Sequence, residues 1–513
     1  LAAIIAVAMR WQFSPSFAKE SNMSRSSRRL FLERSMWATA SAFALQHASV
    51  GRASPLQEGE KEAGPSERLS VAVVGVNGRG QSHVHHYVRN PKTRITHICD
   101  VDESVGQKVI EAIAEKQGGE KPAYVRDMRT VYEDKTVDIV SVATPNHWHA
   151  LASLWAVQAG KDVYVEKPVS HNVSEGRRLV QAARKYQRVV QTGTQSRSNP
   201  GMRQAMEFIH QGGIGEIKIA RGLCYKRRNA IGPKGTYDVP AGVDYDLWLG
   251  PAQFAPVTRP RFHYDWHWQW PYGNGDLGNQ GIHQMDLCRW ALQKQQLSDW
   301  VMSYGGRWGY EDAGETANTQ VVVHGYGDQQ LVFEVRGLET QDYRGASVGI
   351  IIEGTGGYLV MTSYSAGIAF DPEGKEIKRF EQGGDDFHYD NFIGAVQSRD
   401  WKSLQAEIED GHLSSALCHT ANISLRLGKT GNVAQLEESL KELAGPENCQ
   451  ATLERTLNHV ADNHVDLESL AISVGPKLVM DPAAEVFPGN DAANAMLTRD
   501  YRAPYVIPKE ADL

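Results

Sequence analysis

Lys167 stands between Glu166 and Pro168, at the end of the short apolar run Asp162–Val165. A lysine at the carboxyl end of a buried strand is partly desolvated. Its pKa falls, and its amine can exchange a proton with a substrate hydroxyl. Pro168 stiffens the turn that holds it. A second polar set lies further on. Asn279, His283 and Asp286 are spaced i, i+4, i+7, so they share one face of a helix opened by a glycine-rich turn with Asp276. A polar stripe in an otherwise apolar helix needs partners.

These groups need elements to hold them. Leu69–Val74 reads as a buried strand and runs into Gly75-Val76-Asn77-Gly78-Arg79-Gly80, with a helix-compatible stretch from Gln81 to Arg89. Strand, glycine turn and helix suit a pyrophosphate. Backbone N–H groups at the helix N-terminus attract it, and side chains on the turn would block its approach. The spacing is GxxGxG, so Gly75, Asn77, Gly78, Arg79 and Gly80 form the candidate phosphate loop. The next strand, Arg94–Cys99, ends at Asp100. A carboxylate there bonds both ribose hydroxyls of adenosine and repels a 2′-phosphate, favouring NAD over NADP. Arg79 softens that preference. A further strand, Val137–Val142, leads to Thr144, Pro145, Asn146 and His149, ahead of a helix expected from about Ala150 to Gly160. Ligands bind beyond the carboxyl ends of parallel strands, which puts Thr144, Asn146 and His149 beside the cofactor. Gln195, at the exit of the strand-like run Val189–Gln195, is another contact candidate.

The glycine turn, the strand-end Asp100, Thr144-Pro145-Asn146-His147 and Glu166-Lys167-Pro168 occur in the order seen in the Gfo/Idh/MocA oxidoreductases. The sequence resembles that family over roughly residues 68–430. The resemblance implies an α/β fold: an N-terminal Rossmann domain with a doubly wound parallel sheet, and a C-terminal α/β domain on an open, mainly antiparallel sheet. It implies NAD(P)-dependent hydride transfer on sugars or cyclitols. It makes Lys167 catalytic, puts Glu166 near the nicotinamide ribose, and gives His283 an assisting part in proton transfer. Asn279 stands where the family pattern has a carboxylate. An amide cannot act as a base, so Asp276 or Asp286 would have to compensate. A homodimer or homotetramer through the second sheet is also implied.

Residues 67–194 are thus expected as the nucleotide-binding domain and 195–445 as the substrate and oligomerisation domain, with 446–513 an extension without readable chemistry. Alternating runs at Thr319–His324, Gln330–Val335, Ser347–Glu353 and Gly357–Met361 suit an antiparallel sheet with one solvated or subunit-facing side. Trp266, Trp268, Trp270 and Tyr272 fall at every second position. On an extended strand they would form one aromatic face for sugar stacking, or pack into a core or interface. His263, Asp265 and His267 alternate with them, but no metal is expected there.

Residues 1–66 read as an upstream extension, an export signal and a linker. Arg28-Arg29 followed by Phe31-Leu32 resembles a twin-arginine signal, with Met23 the expected start and residues 52–66 flexible. That route carries folded proteins and implies a periplasmic or otherwise exported enzyme with tightly held NAD. The whole chain has 513 residues, 41% hydrophobic and 22% charged, which suits two or three globular domains. A net charge of −7 argues against nucleic acid as the main partner, and no stretch suits stable membrane insertion. Five scattered cysteines make neither a disulfide framework nor a zinc site.

Three functions follow. The first is an exported NAD-dependent oxidoreductase acting on a sugar, sugar derivative or cyclitol. The second is a glycosidase that oxidises its sugar transiently, eliminates the aglycone and keeps its NAD. The third is a non-catalytic nucleotide-binding relative.

Overall fold

The computed structural model describes residues 68–513. The export signal, the start at Met23 and the linker lie outside the described residues.

Six strands form the first sheet: β1 (Leu69–Val74), β2 (Thr93–Cys99), β3 (Ala123–Val125), β4 (Ile139–Val142), β5 (Asp162–Val165) and β6 (Val190–Thr192). Their order is β3-β2-β1-β4-β5-β6, and every pair is parallel. Apolar runs such as Val-Ala-Val-Val in β1 are buried on both sides, as a sheet covered by helices on both faces requires. The order reverses between β1 and β4. A crevice opens at such a switch point beyond the carboxyl strand ends.

The second sheet has eleven strands: β7 (Ile217–Tyr225), β8 (Trp300–Gly306), β9 (Thr319–Tyr326), β10 (Gln329–Arg336), β11 (Val348–Gly354), β12 (Gly357–Met361), β13 (Ala366–Phe370), β14 (Glu376–Glu381), β15 (Lys429–Gly431), β16 (Ile472–Val474) and β17 (Leu478–Val479). Only the β7–β10 pair is parallel. The helices Pro200–His210, Gly281–Ala291 and Ile408–Arg426 pack Met206, Met285 and Leu417 onto Phe333, Val335 and Ile350 on one face. Each such side chain, fully buried, contributes roughly 1.5–3 kcal/mol.

The other face was expected to stand open or meet a partner. Over part of the sheet it is covered within the single chain, while β14 at the edge stays exposed. Leu436, Leu440, Leu453 and Val460, on the helices Val433–Leu440 and Cys449–Asp462, pack on Met302, Tyr304, Val321 and Val323. Leu223, Ile351 and Val360 are buried around Tyr343 and Ala346.

The helices Asp386–Ser398 and Ile408–Arg426 return to the first sheet. Tyr389, Phe392 and Ile393 join its core, and Thr192 N donates to Ala406 O at 2.9 Å. This return fixes the second domain against the strand ends that carry the candidate chemistry. No helix among the described residues is long and apolar enough to cross a membrane.

Candidate active site

A cavity of about 500 Å³ runs across the carboxyl ends of the first sheet. Asp100, after β2, lines one end with Val101 and Met128, while Lys167, after β5, lines the other with His283 and Tyr364. Three strand spacings separate β2 from β5, about 14 Å. The glycine turn and Thr144 lie between them.

The turn is shaped for close approach. Gly75 has φ +84°, and a Cβ there would sit 2.8 Å from Ala143 O. A Cβ on Gly80 would overlap the Gly75 carbonyl oxygen. Gly78 has nothing within 4 Å, so its lack of a side chain leaves open space over the turn. Asp100 closes the same turn, accepting from Val76 N at 2.8 Å and Asp102 N at 3.0 Å. Burial pushes its carboxyl up, against those two hydrogen bonds. Thr144 Oγ1 is buried without a protein partner. A bare turn, an anchored carboxylate and an unpartnered hydroxyl along one cavity fit a dinucleotide: Gly75, Asn77, Gly78 and Gly80 for its phosphates, Asp100 for a ribose and Thr144 for the middle of the molecule.

Asn146 and His149 do not precede a helix, as expected, but lie in its first turn, because the helix runs Asn146–Gln158. Pro145 supplies the extended residue before it. Asn146 Nδ2 donates to Asn274 Oδ1 at 3.0 Å, which ties this turn to the second domain. The two nitrogens of His149 lie against carbonyls, Pro168 O at 2.6 Å and Thr144 O at 2.7 Å, and the ring, its pKa lowered by burial, donates its one N–H to either of them. It clamps the ends of β4 and β5 together.

Glu166 is the hub of the other end. Its Oε1 accepts from Arg79 Nε at 2.9 Å and Gln195 Nε2 at 3.3 Å, and His83 Nε2 lies 3.1 Å away. Its Oε2 accepts from Lys167 N at 3.2 Å. Burial alone would raise this carboxyl, but Arg79, His83 and Lys167 outweigh burial and hold it well below the usual carboxylate range. Arg79 therefore points to Glu166, with Asp385 3.9 Å away, and not to the ribose end.

Lys167 Nζ donates to Asn279 O at 2.9 Å, with Asn279 Oδ1 at 3.4 Å. No carboxylate oxygen lies within ion-pair distance of it among the described residues. Burial lowers its pKa to about 8, and the charges of Arg79, Lys226 and Arg228 act in the same direction, against Glu166. His283 is 8% exposed, and its Nδ1 has no partner. Burial, then Lys167, hold its pKa well below the usual imidazole value, so it is neutral. Tyr364 covers it, the rings 5.1 Å apart.

One expectation for this segment fails. Asn279 ends the short helix Gly275–Asn279, His283 and Asp286 lie on Gly281–Ala291, and Gln280 between them keeps helical dihedrals, φ −81° and ψ −43°. Asn279 and His283 both line the cavity. Asp286 does not line the cavity. It is 1% exposed and sealed by Arg197 Nε at 2.7 Å and Ser414 Oγ at 2.7 Å. Asp276 is likewise held by Arg228, at 2.7 Å, away from Lys167. Neither carboxylate compensates for Asn279.

The aromatic run does not form a strand either. Tyr264 has φ +70°, Asp265 N donates to His263 O at 2.9 Å, and Asp265–Trp268 is a 3-10 turn. A tight turn of this kind destroys the alternation. Trp266 and His267 stack at 3.6 Å and line the cavity, Trp268 and Tyr272 are buried, and Trp270 lies under Arg426. His263, Asp265 and His267 turn to separate partners: Asp102, Arg261 and the Tyr264 carbonyl. No group of three potential metal ligands occurs among the described residues.

Sequence reasoning missed His83, Tyr264, Tyr364 and Asp385. His83 carried a readable signal, a histidine one helical turn before the buried Tyr87. Tyr364 and Asp385 come from loops with no pattern.

Comparison with known proteins agrees with this layout. Residues 69–194 match the Gfo/Idh/MocA oxidoreductase family's NAD-binding Rossmann fold, and residues 231–444 its C-terminal alpha/beta domain. A glycosyl hydrolase family 109 protein of Shewanella sp. (strain ANA-3) is 37% identical over 177 residues, 32% of this chain and 39% of that protein. A levoglucosan dehydrogenase of Pseudarthrobacter phenanthrenivorans is 24% identical over 242 residues, 46% of this chain and 54% of that protein. The matches thus span about two fifths to half of these relatives' length. The WlbA dehydrogenase of Bordetella pertussis, solved with NADH and UDP-GlcNAcA, shares the fold with a TM-score of 0.51 at 18% identity, over 68% of this chain and 95% of that one. With both of the family's domains matched in order, the chain belongs to the Gfo/Idh/MocA oxidoreductases.

Proposed function

We propose that the protein is an exported NAD-dependent oxidoreductase that oxidises a hydroxyl of a sugar, sugar derivative or cyclitol, or reduces the matching carbonyl. One observation carries the reading. The Lys167 amine, with its pKa lowered to about 8, faces the same cavity as the glycine turn and the neutral His283. A bound nicotinamide dinucleotide supplies the two-electron acceptor.

The chain's own groups handle the proton. The Asn279 carbonyl orients Lys167 Nζ, and the Glu166 hub holds its backbone. In its free-base form Nζ takes the proton from the substrate hydroxyl as the carbonyl forms. His283, neutral and on the cavity lining, fixes the same oxygen by a hydrogen bond. Asn279 shares no proton with Lys167, so Lys167 acts without a carboxylate relay. Trp266, Tyr264 and Tyr364 wall the cavity and reduce water access. Asp100 favours NAD over NADP, and Arg79 is bound to Glu166 and not turned towards a 2′-phosphate.

The second reading is a glycosidase with transient oxidation, elimination of the aglycone and return of the electrons to the product. The 37% identical stretch in the family 109 glycosyl hydrolase favours it. Both readings suit retained NAD, as export beyond the cytoplasmic pool requires.

The test is the nucleotide released on denaturing extensively dialysed protein, followed by a screen of sugar pairs and aryl glycosides. Near-stoichiometric NAD(H) with sugar-dependent reduction is expected. Release of aryl aglycone without net redox would move the assignment to the glycosidase. Failure to bind NAD or NADP would end both.

A further inference from the structure

The end of the nucleotide cavity at Asp100 is not built by the first domain alone. A stretch of the second domain lies along it. Asp244 N donates to Val101 O at 2.9 Å, Asp102 and Val243 pair as antiparallel neighbours, and His263 Nε2 lies 3.1 Å from Asp102 Oδ2. Trp248, on the short helix Tyr245–Leu249, and His263 line the cavity together with Val101 and Met128. Arg259 ties this stretch into one piece. It is 1% exposed, donates to Phe262 O and Gln269 Oε1, each at 2.7 Å, and lies over the Trp248 ring at 5.2 Å. Residues 243–269 therefore form a cover at the ribose end of the cavity.

The cover is held from outside by the last segment of the sequence. Arg502 donates to Asp246 O at 2.7 Å and to Gly250 O at 3.0 Å, and its guanidinium also pairs with the Asp246 carboxylate. Tyr505 OH donates to that carboxylate at 3.1 Å, and Arg502 N donates to Pro251 O at 3.3 Å. The Asp246 carboxylate is exposed, and an exposed ion pair alone is worth little. The hold lies in the bonds to backbone carbonyls, which fix the helix and the turn after it rather than one side chain.

On its other side the same segment is rooted in the first domain. Tyr505 is 3% exposed and joins the core under the helix Asn146–Gln158, its ring edge-on to Trp148 at 5.4 Å. Trp148 lines the cavity and donates from Nε1 to Leu247 O at 3.0 Å. Further along, Glu510 pairs with Arg178 at 2.8 Å, on the helix Val173–Lys185. Residues 502–510 thus grip the cover with one face and the first domain with the other. None of them lines the nucleotide cavity.

We propose that residues 502–510 are a clamp on the nucleotide. They hold the cover shut over the adenosine and slow its exchange, which makes NAD a retained cofactor. The inference rests on the nucleotide reading of the cavity and gives the C-terminal extension its part in it. The cover must part for the nucleotide to enter and to leave, so a looser clamp quickens both.

Stopped-flow fluorescence of NADH on the full chain tests this, with uptake followed on mixing and release followed after excess NAD is added. Arg502→Met removes the guanidinium bonds. Tyr505→Phe keeps the ring behind Trp148 and removes only the bond to Asp246, so it remains informative if Arg502→Met fails to fold. Release is expected to quicken about five- to thirtyfold in Arg502→Met and about two- to tenfold in Tyr505→Phe, the loss of one or two hydrogen bonds. Uptake should quicken in the same two variants. Asp286→Ala is destabilised at a place away from the cover and should exchange NADH as the wild type does, which separates a clamp from general loosening. Release unchanged in both clamp variants, or quickened as much in Asp286→Ala, would overturn the clamp alone. A wild type that takes up neither NADH nor NADPH would overturn the nucleotide reading, and the clamp with it.

Discussion

A lysine stands at each end of β5, Lys161 buried and Lys167 half-buried, and the two have opposite fates. Lys161, before the strand, is 3% exposed and donates to Asp134 O at 2.5 Å and Val137 O at 2.8 Å. Lys167, after it, donates to Asn279 O and faces a cavity. Burial lowers both pKa values. Desolvation alone therefore does not make a catalytic amine. Lys161 closes a turn between fixed carbonyls, whereas Lys167 looks onto space that the glycine turn, Thr144 and His283 also reach. The carboxyl edge of a parallel sheet gathers loops around a crevice.

Replacement of the two lysines breaks this comparison most sharply. Lys167→Met should lower kcat by about 10²–10⁴ while nucleotide binding persists, as steady-state rates and NAD titration would show. Asp286→Ala should leave the buried Arg197 with Asp410 alone, 3.2 Å away, and cost about 1–3 kcal/mol in denaturant unfolding. The pH profile of the remaining activity should not move, because Asp286 lies outside the cavity. Lys161→Met takes a donor from the carbonyls of Asp134 and Val137. A loss of about 1–3 kcal/mol is expected there, with kcat unchanged. A further contrast lies within the glycine turn. Gly80→Ala should abolish measurable NAD binding by calorimetry, since its Cβ overlaps Gly75 O, while Gly78→Ala, with open space around it, should bind nearly as the wild type does.

Local signals carried much of this. The glycine turn, Asp100 and the residue order around Lys167 are readable because strand, turn and strand end are set by short-range pattern. The two-sheet fold was implied by the family resemblance that these motifs carry. The substrate end was harder. Asn279 and Asp286 lie at helical spacing, and no periodicity announces that Arg197 and Ser414 hold Asp286 out of the cavity. The Trp266–Tyr272 alternation is real, but one positive φ at Tyr264 turns it into a knot of aromatics. Tyr364 and Asp385 reach the cavity only because the second sheet and the helix Asp386–Ser398 fold back on the first. The extension 446–513 showed no chemistry, because its polar groups acquire meaning only against Asp246 and Gly250, more than two hundred residues earlier.

The central claim is that Lys167 holds a proton weakly enough to take one from a hydroxyl near neutral pH. Its folded pKa lies below that of a free lysine, so the charged form is disfavoured in the native state. Stability is therefore gained as pH rises from about 8 towards the free value of 10.5. The most direct measurement is the acylation rate of the Lys167 amine by a neutral reagent across that range, read by peptide mass spectrometry. Reactivity half-maximal near pH 8 is the expected result. A midpoint near 10.5, that of an ordinary lysine, would contradict the account.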